Sequence, residues 1–394
     1  MLRLWLSTDR RENSAQLLRE ITARAKAGQR RMVLLVPEQF SHETERRLCA
    51  AGGDAISLHA EVLTFSRLAS RVFAERGGVA ETETDGGGKL LMMALAVEQV
   101  RSRLKIFGAS AARAEFLLQL LDMLEEFRSF CVTADQLRRA AAGLTGTLAV
   151  KTEEFALLME SYDAVCAQIG QNPQSRLTRL LNALEDCDDL SDREFWIDGF
   201  TDFNGVERNI LAQLLNGGAG LTVALLCDGL HGHAQQYAAA RETAAALCAI
   251  AAQQQIPVET RQLPPREETS ALARLRAGLF GGAMHPWDAP QDAVAFLSSG
   301  GRTEECRTVA GEILKLVEQG ARWRDIAVAC TDYAAYRPML ESILKRAEIP
   351  AYFAGDRDIL QERMIDALLT ALNAAAGGME TEDVLAWLKS DYSG

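Results

Sequence analysis

Residues 1–40 read MLRLWLSTDRRENSAQLLREITARAKAGQRRMVLLVPEQF. Two apolar runs, MLRLWLS and RMVLLVP, flank SAQLLREITARAKAG, whose leucines and isoleucine recur at helical spacing. Strand, loop, helix, strand is a βαβ unit, and the unbroken run Val33–Val36 suits a parallel strand covered on both faces. Gly28 and the pair Gly52–Gly53 stand where the first helix and the next one, EQFSHETERRLCAAGG, should stop.

Outward from this unit, Val62–Phe65 reads as a third strand, followed by a helix through Arg67, Arg71 and Phe73. The rhythm then ceases. GGVAETETDGGGK (77–89) reads as a flexible polar link, and from residue 89 to about 186 only helical periodicity is present. Phe116, Leu117, Leu120, Leu121, Leu124 and Phe127 form one apolar helical stripe, and Thr133 with Gln136 has the spacing of a capping box. Strand signals resume at Phe195–Asp198 and Leu221–Cys227 around a helix Val206–Leu215, so the helical stretch interrupts one α/β domain.

After the Pro- and Gly-rich loop Gly281–Pro290, a second α/β pattern opens. It reads as strand Ala293–Leu297, helix Glu304–Gln319, strand Asp325–Cys330, helix Tyr336–Arg346, strand Ile349–Phe353 and at least two more helices. The pattern is still incomplete at Ser393 and Gly394, and the expectation is a piece of a larger protein.

At 48% hydrophobic and 24% charged residues, the 394-residue chain has the profile of a folded globular protein of more than one domain. No apolar run is long enough to span a membrane, and Met1–Leu6 lead directly into polar residues, unlike a signal peptide, which predicts a cytoplasmic protein without membrane partners. The eight cysteines are scattered and read as buried thiols. A net charge of −12 argues against coating nucleic acid through bulk electrostatics. Charge is segregated, however: ten Lys/Arg against six Asp/Glu leave +4 on residues 1–50 and −16 on the rest.

The turn after the first strand is where a phosphate loop would sit. Ser7–Ser14 (STDRRENS) fill the eight places of GxxxxGK[ST] with no glycine, with Asn13 where Lys belongs, and with only Ser14 matching. Asn13 or Ser14 reads more simply as a helix N-cap than as a phosphate or magnesium ligand. Asp198 ends an apolar strand, where a magnesium-holding carboxylate would stand, but Gly199 follows in place of a water-activating Glu. As a turn residue before Gly199 it needs no function. His231 and His233 have no third metal ligand nearby in sequence, and Glu304 and Glu305 suit a helix N-terminus.

Taken together, VPEQFSHETERRL (36–48), AEVLTFSRLASRVF (60–73), FWIDGFTDFNGVERNILAQLL (195–215) and EECRTVAGEILKLVEQGARWRDIAVACTDYAAYRPML (304–340) resemble the AddB (RexB) subunit of bacterial AddAB helicase-nucleases, in the family's order and over nearly the whole chain. The resemblance implies an α/β fold of RecA-like parallel sheets in a superfamily 1 helicase-like layout. The first RecA-like domain would comprise 1–85 and 190–285, the helical insertion 86–189, and the beginning of a second RecA-like domain 291–394. It implies a partner, an AddA-like motor subunit, and work on single- or double-stranded DNA ends in double-strand break repair, including scanning of the emerging strand for a recombination hotspot.

The family's exonuclease domain and iron-sulfur cluster would lie beyond this stretch, so neither is expected in it. The analogous helicase motifs place DNA contacts at Gln39, Phe40 and His42 after the second strand and at Thr64, Phe65, Ser66 and Arg67 after the third; Phe65, ending an apolar strand, reads more simply as a core residue. Where the family keeps a GxxGxGK[ST]-like loop this chain has STDRRENS, which predicts neither ATP hydrolysis nor ATP/Mg binding at Ser7, Asn13, Ser14 and Asp198. The alternative is an acidic, leucine-rich scaffold that docks the motor subunit without touching DNA.

Overall fold

Leu2, Leu4 and Leu6 alternate with Arg3, Trp5 and Ser7 along β1 (Leu2–Ser7), and both rows are covered. The computed structural model describes residues 1–77, 84–110, 113–185, 189–264, 270–279, 287, 289–355, 359, 362–390 and 392. Residues 78–83 of the expected link, Cys187, most of the loop 281–290, and Ser393 and Gly394 lie outside them.

Six parallel strands make one sheet. They are β1, β2 (Met32–Leu35), β3 (Ala60–Leu63), β4 (Glu194–Ile197), β5 (Gly220–Leu226) and β6 (Val258–Gln262), in the order β3-β2-β4-β5-β1-β6. This is a RecA-like α/β sheet. Parallel ladders need helical crossovers, and these cover both faces. Leu17 and Ile21 of α1 (Arg10–Lys26) and Leu48 of α2 (Ser41–Gly52) pack on the face carrying Trp5, Leu34 and Trp196. The other face, with Leu4, Leu35, Ile197 and Val223, receives α3 (Phe65–Arg76) and helices that follow the later strands. Each fully buried leucine contributes roughly 1.5–3 kcal/mol, so these two layers dominate the stability of the unit. At the amino edge of the sheet, Arg3 and Arg24 both pair with the buried Glu194 carboxylate, beside the Trp196 ring.

Between β3 and β4 lie α4 (Gly86–Val100), α5 (Ala114–Ser129), α6 (Ala134–Ala142), α7 (Gly146–Gln168) and α8 (Arg176–Glu185). The apolar stripe of α5 turns Leu117, Leu120, Leu121 and Leu124 into a separate core with Met93, Phe155 and Met159. Thr133 and Gln136 form the capping box that their spacing predicts. Gly86–Gly88 are not link but the first turn of α4, because Asp85 accepts from Gly88 N at 2.6 Å and caps it. α9 (Gly205–Asn216) and α10 (Ala238–Gln253) follow β4 and β5, α10 leading to β6, and the short α11 (Ala271–Gly278) comes after β6.

The chain divides into two compact units, Met1–Pro290 and Gln291–Gly394. In the second unit, α12 (Arg302–Glu318) and α13 (Tyr333–Arg346) join through Ala310, Ile313 and Leu344 with Ile349, and α14 (Arg363–Ala376) packs with α15 (Thr381–Leu388). The strands expected at Ala293–Leu297, Asp325–Cys330 and Ile349–Phe353 are not formed among the described residues. A strand exists only when a neighbouring backbone takes its N–H and C=O groups, and here the segments have no such neighbour, with Phe296 and Tyr352 more than nine-tenths exposed.

Candidate functional site at the carboxyl edge of the sheet

Helices leave β1 and β2 toward one face and β4 and β5 toward the other, so a crevice opens at the carboxyl ends of these four strands. In open α/β sheets this is where ligands settle.

The β1–α1 turn is only Thr8 and Asp9. Asp9 is the N-cap of α1: its carboxylate accepts from Arg11 N at 2.9 Å, and its own N–H donates to Ser7 Oγ at 3.0 Å. Asn13 and Ser14 are therefore not caps; they lie inside the first turns of α1. The correction follows from Asp9, whose carboxylate takes an orphan N–H and starts the helix at Arg10, four residues before Ser14. The Asp9-x-x-Glu12 spacing was the available signal. Its effect is to put the chain's own buried carboxylate at the positive helix end that would otherwise face a phosphate.

Asn13, at the lysine position, donates from Nδ2 to the Leu225 carbonyl at the end of β5 (2.9 Å), and its Oδ1 is buried without a hydrogen-bond partner. Ser14 Oγ donates to Asp198 Oδ2 at 2.5 Å. Burial pushes the Asp198 carboxyl above its ordinary range, against the opposing pull of Ser14, Arg10 and Arg47. The serine and carboxylate that could share a metal ion are thus bonded to each other, and the amide where an ammonium would stand is tied to the sheet. Ser7 Oγ, Asn13 Nδ2, Ser14 Oγ and Asp198 Oδ2 are thus each engaged within the chain.

At the mouth of the crevice stand two exposed arginines, Arg10 and Arg47, that sequence reasoning did not single out. Arg10 lies over the Phe40 ring, 4.4 Å from its centroid. Gly199 makes room for this stack: with φ +86° and a would-be Cβ 3.1 Å from the Arg10 guanidinium and 3.2 Å from Pro37, a side chain there would be strained and would press on both neighbours. Only the fold brings residues 10, 40, 47 and 199 to one place.

The predicted DNA contacts divide. Gln39 and His42 are exposed on the turn into α2, and Phe40 is half-buried under Arg10. Thr64 is buried and caps α3, accepting from Arg67 N at 3.2 Å. Ser66 and Arg67 are exposed, and Arg67 donates to Ser41 and to Glu45, so the turns after β2 and β3 are joined. Phe65 does not belong to this surface: it opens α3 rather than ending β3, and its ring lies edge-on to Phe200 and Phe203 in the core. Removing it would cost about 3–5 kcal/mol of packing.

His231 and His233 lie in the loop after β5, and among the described residues no group of three potential metal ligands occurs. Glu304 and Glu305 are in the first turn of α12, and Glu305 accepts from the Tyr336 hydroxyl at 2.6 Å. No helix among the described residues is long and apolar enough to cross a membrane.

Residues 9–276 match the family described as ADDB, N-terminal. Among curated relatives, proteins named as the B subunit of an ATP-dependent helicase/deoxyribonuclease are 30% identical in Desulforudis audaxviator, over 374 residues, and 30% identical in Pelotomaculum thermopropionicum, over 375 residues. A protein of the same name in Geobacillus thermodenitrificans is 29% identical over 380 residues. These alignments cover 91–92% of this chain and 32% of each relative, so the chain spans about a third of their length.

Proposed function

Since the chain belongs to the AddB N-terminal family, we propose that it is the non-motor, helicase-like part of the B subunit of a helicase–deoxyribonuclease, guiding a DNA strand across the carboxyl edge of its sheet during double-strand break repair. In this reading it works beside an AddA-like motor subunit and hydrolyses no ATP. Residues 1–85 with 190–285 form the first RecA-like domain, 86–189 its helical insertion, and 291–394 the opening of a second.

One observation carries the reading: the Asp9 carboxylate caps the helix end that a nucleotide phosphate would need, while Ser14 and Asp198 are spent on each other. A sheet edge closed to nucleotide but rimmed by Arg10, Arg47, His42 and Gln39 still suits the phosphodiester backbone, which is bound through cations and side-chain donors rather than a phosphate loop. A half-buried Phe40 adds a ring edge beside the strand.

The test is fluorescence anisotropy of a labelled single-stranded oligonucleotide against the wild-type chain and Arg10→Gln/Arg47→Gln, at low and moderate salt, with a fluorescent ATP analogue titrated in parallel. Expected are salt-sensitive DNA binding weakened several-fold by the double change, and no nucleotide binding. Saturable nucleotide binding would overturn the non-motor reading. A wild-type chain blind to DNA at low salt would favour the scaffold reading, for which the exposed Leu91 and Leu95, one turn apart on α4, offer a docking stripe.

A further inference from the structure

The segment RSRLKIF (101–107) joins α4 to α5 in the helical insertion, away from the strand turns described above. Its apolar members are turned inward: Leu104 is buried, Ile106 and Phe107 are half-buried, and Phe107 packs 5.6 Å from the Phe116 ring. Its cations, Arg101, Arg103 and Lys105, are exposed.

The backbone of this segment is clasped from beneath. Glu154 of α7, 4% exposed, accepts from Lys105 N at 2.6 Å and Ile106 N at 3.0 Å through Oε1, and from Phe107 N at 2.9 Å through Oε2. A buried carboxylate holding three N–H groups fixes a loop strongly. Arg101 has a surface pair with Glu98 at 3.1 Å, and Glu160, held by Arg138, lies within the electrostatic reach of Arg103. Among the described residues neither Arg103 nor Lys105 forms an ion pair.

We infer that Arg101, Arg103 and Lys105, held outward by the Glu154 clasp, form a second nucleic-acid contact on the helical insertion that grips phosphodiester groups without reading sequence. The inference rests on the DNA-handling reading and extends it to a different surface. Three features favour phosphate over a protein partner. The ridge exposes three cations, and its one aromatic ring, Phe107, is packed on Phe116, whereas protein interfaces are rich in aromatics and poor in Lys at their cores. The chain is acidic overall, so a fixed local cluster of positive charge is where a polyanion would be tolerated. And the three loop N–H groups are already taken by Glu154, which leaves side-chain charge as the means of contact and makes it indifferent to base sequence.

The test titrates the full chain against labelled oligothymidylate over a salt series and reads the slope of log K against log salt. Each phosphate contact to a single strand adds about 0.7 to that slope. Arg103→Gln/Lys105→Gln is expected to reduce its magnitude by about 1.4, while Arg103→Lys/Lys105→Arg, which keeps the charge, leaves it near wild type. Arg139→Gln/Lys151→Gln, which removes two other exposed cations of the insertion, should leave it unchanged. If the wild type binds and Arg103→Gln/Lys105→Gln keeps the full slope, the ridge is no DNA contact, an acidic protein surface becomes its better partner, and the strand-guiding reading stands. An equal drop in the Arg139→Gln/Lys151→Gln control also overturns the ridge, reducing it to bulk charge. A wild type that does not bind at low salt fails both proposals together.

Discussion

Asp198 is a carboxyl group whose surroundings work against its charge. Burial at the end of β4 outweighs the Ser14 hydroxyl and the Arg10 and Arg47 guanidiniums, so its proton is held more tightly in the folded chain than in the unfolded one. The linkage follows. Where the folded state binds the extra proton, stability falls as pH rises. The contribution is fully present below the unfolded carboxylate value of about 3.9 and is lost as pH climbs through the raised folded value. Thermal unfolding of wild type and Asp198→Asn from pH 4 to pH 8 should therefore show the wild type losing ground to the variant as pH rises; parallel curves would mean a carboxyl that titrates normally. At this scale the sequence was partly legible. Ser14 and Asp198 were visible as two residues of one candidate site, but their direct hydrogen bond across 184 residues was not.

At the scale of elements, the N-terminus of α1 carries the main functional consequence. Asp9→Ala leaves the Arg11 N–H without its side-chain acceptor and should cost about 1 kcal/mol in urea unfolding, whereas Asp9→Ser, still a capping side chain, should recover most of it. A loss no greater than that of an exposed Asp→Ala would show that the cap contributes nothing. The helical insertion has a comparable joint. A Cβ at Gly205, in the first turn of α9, would stand 2.7 Å from the Phe130 Cα at the end of α5, so the two helix ends meet backbone to backbone. Elements defined by apolar runs were legible: β1, β2, β4 and β5 read directly as strands, and the stripe of α5 as a helix. β6 was not. Its sequence, VETRQ, is exposed throughout and polar, and it is a strand only because the edge of β1 supplies a ladder from Leu2 to Leu6.

On the scale of the molecule, the two compact units differ in how much core they hold. Among the described residues, Met1–Pro290 has two apolar layers on the sheet and a third core in the insertion, whereas the buried cluster joining α12, α13 and Ile349 is four residues. Urea unfolding followed by hydrogen exchange, peptide by peptide, should accordingly show residues 291–394 opening first. Leu344→Ala should advance that opening by roughly 2 kcal/mol or more without moving the protection of β1 and β5. One cooperative transition for the whole chain would refute this.

What the sequence determined by itself was the parallel α/β class, the helical stretch that interrupts it, and the absence of a lysine and glycines from the β1–α1 turn, because apolar period and residue identity are local properties. Tertiary structure alone decided that Phe65 belongs to the core, that Arg10, Arg47, Phe40 and Gly199 share one crevice, and that 293–297 and 349–353 run without a ladder. Each of these depends on a neighbour distant in the chain, and a pattern along the chain does not record which backbone or ring will stand beside it.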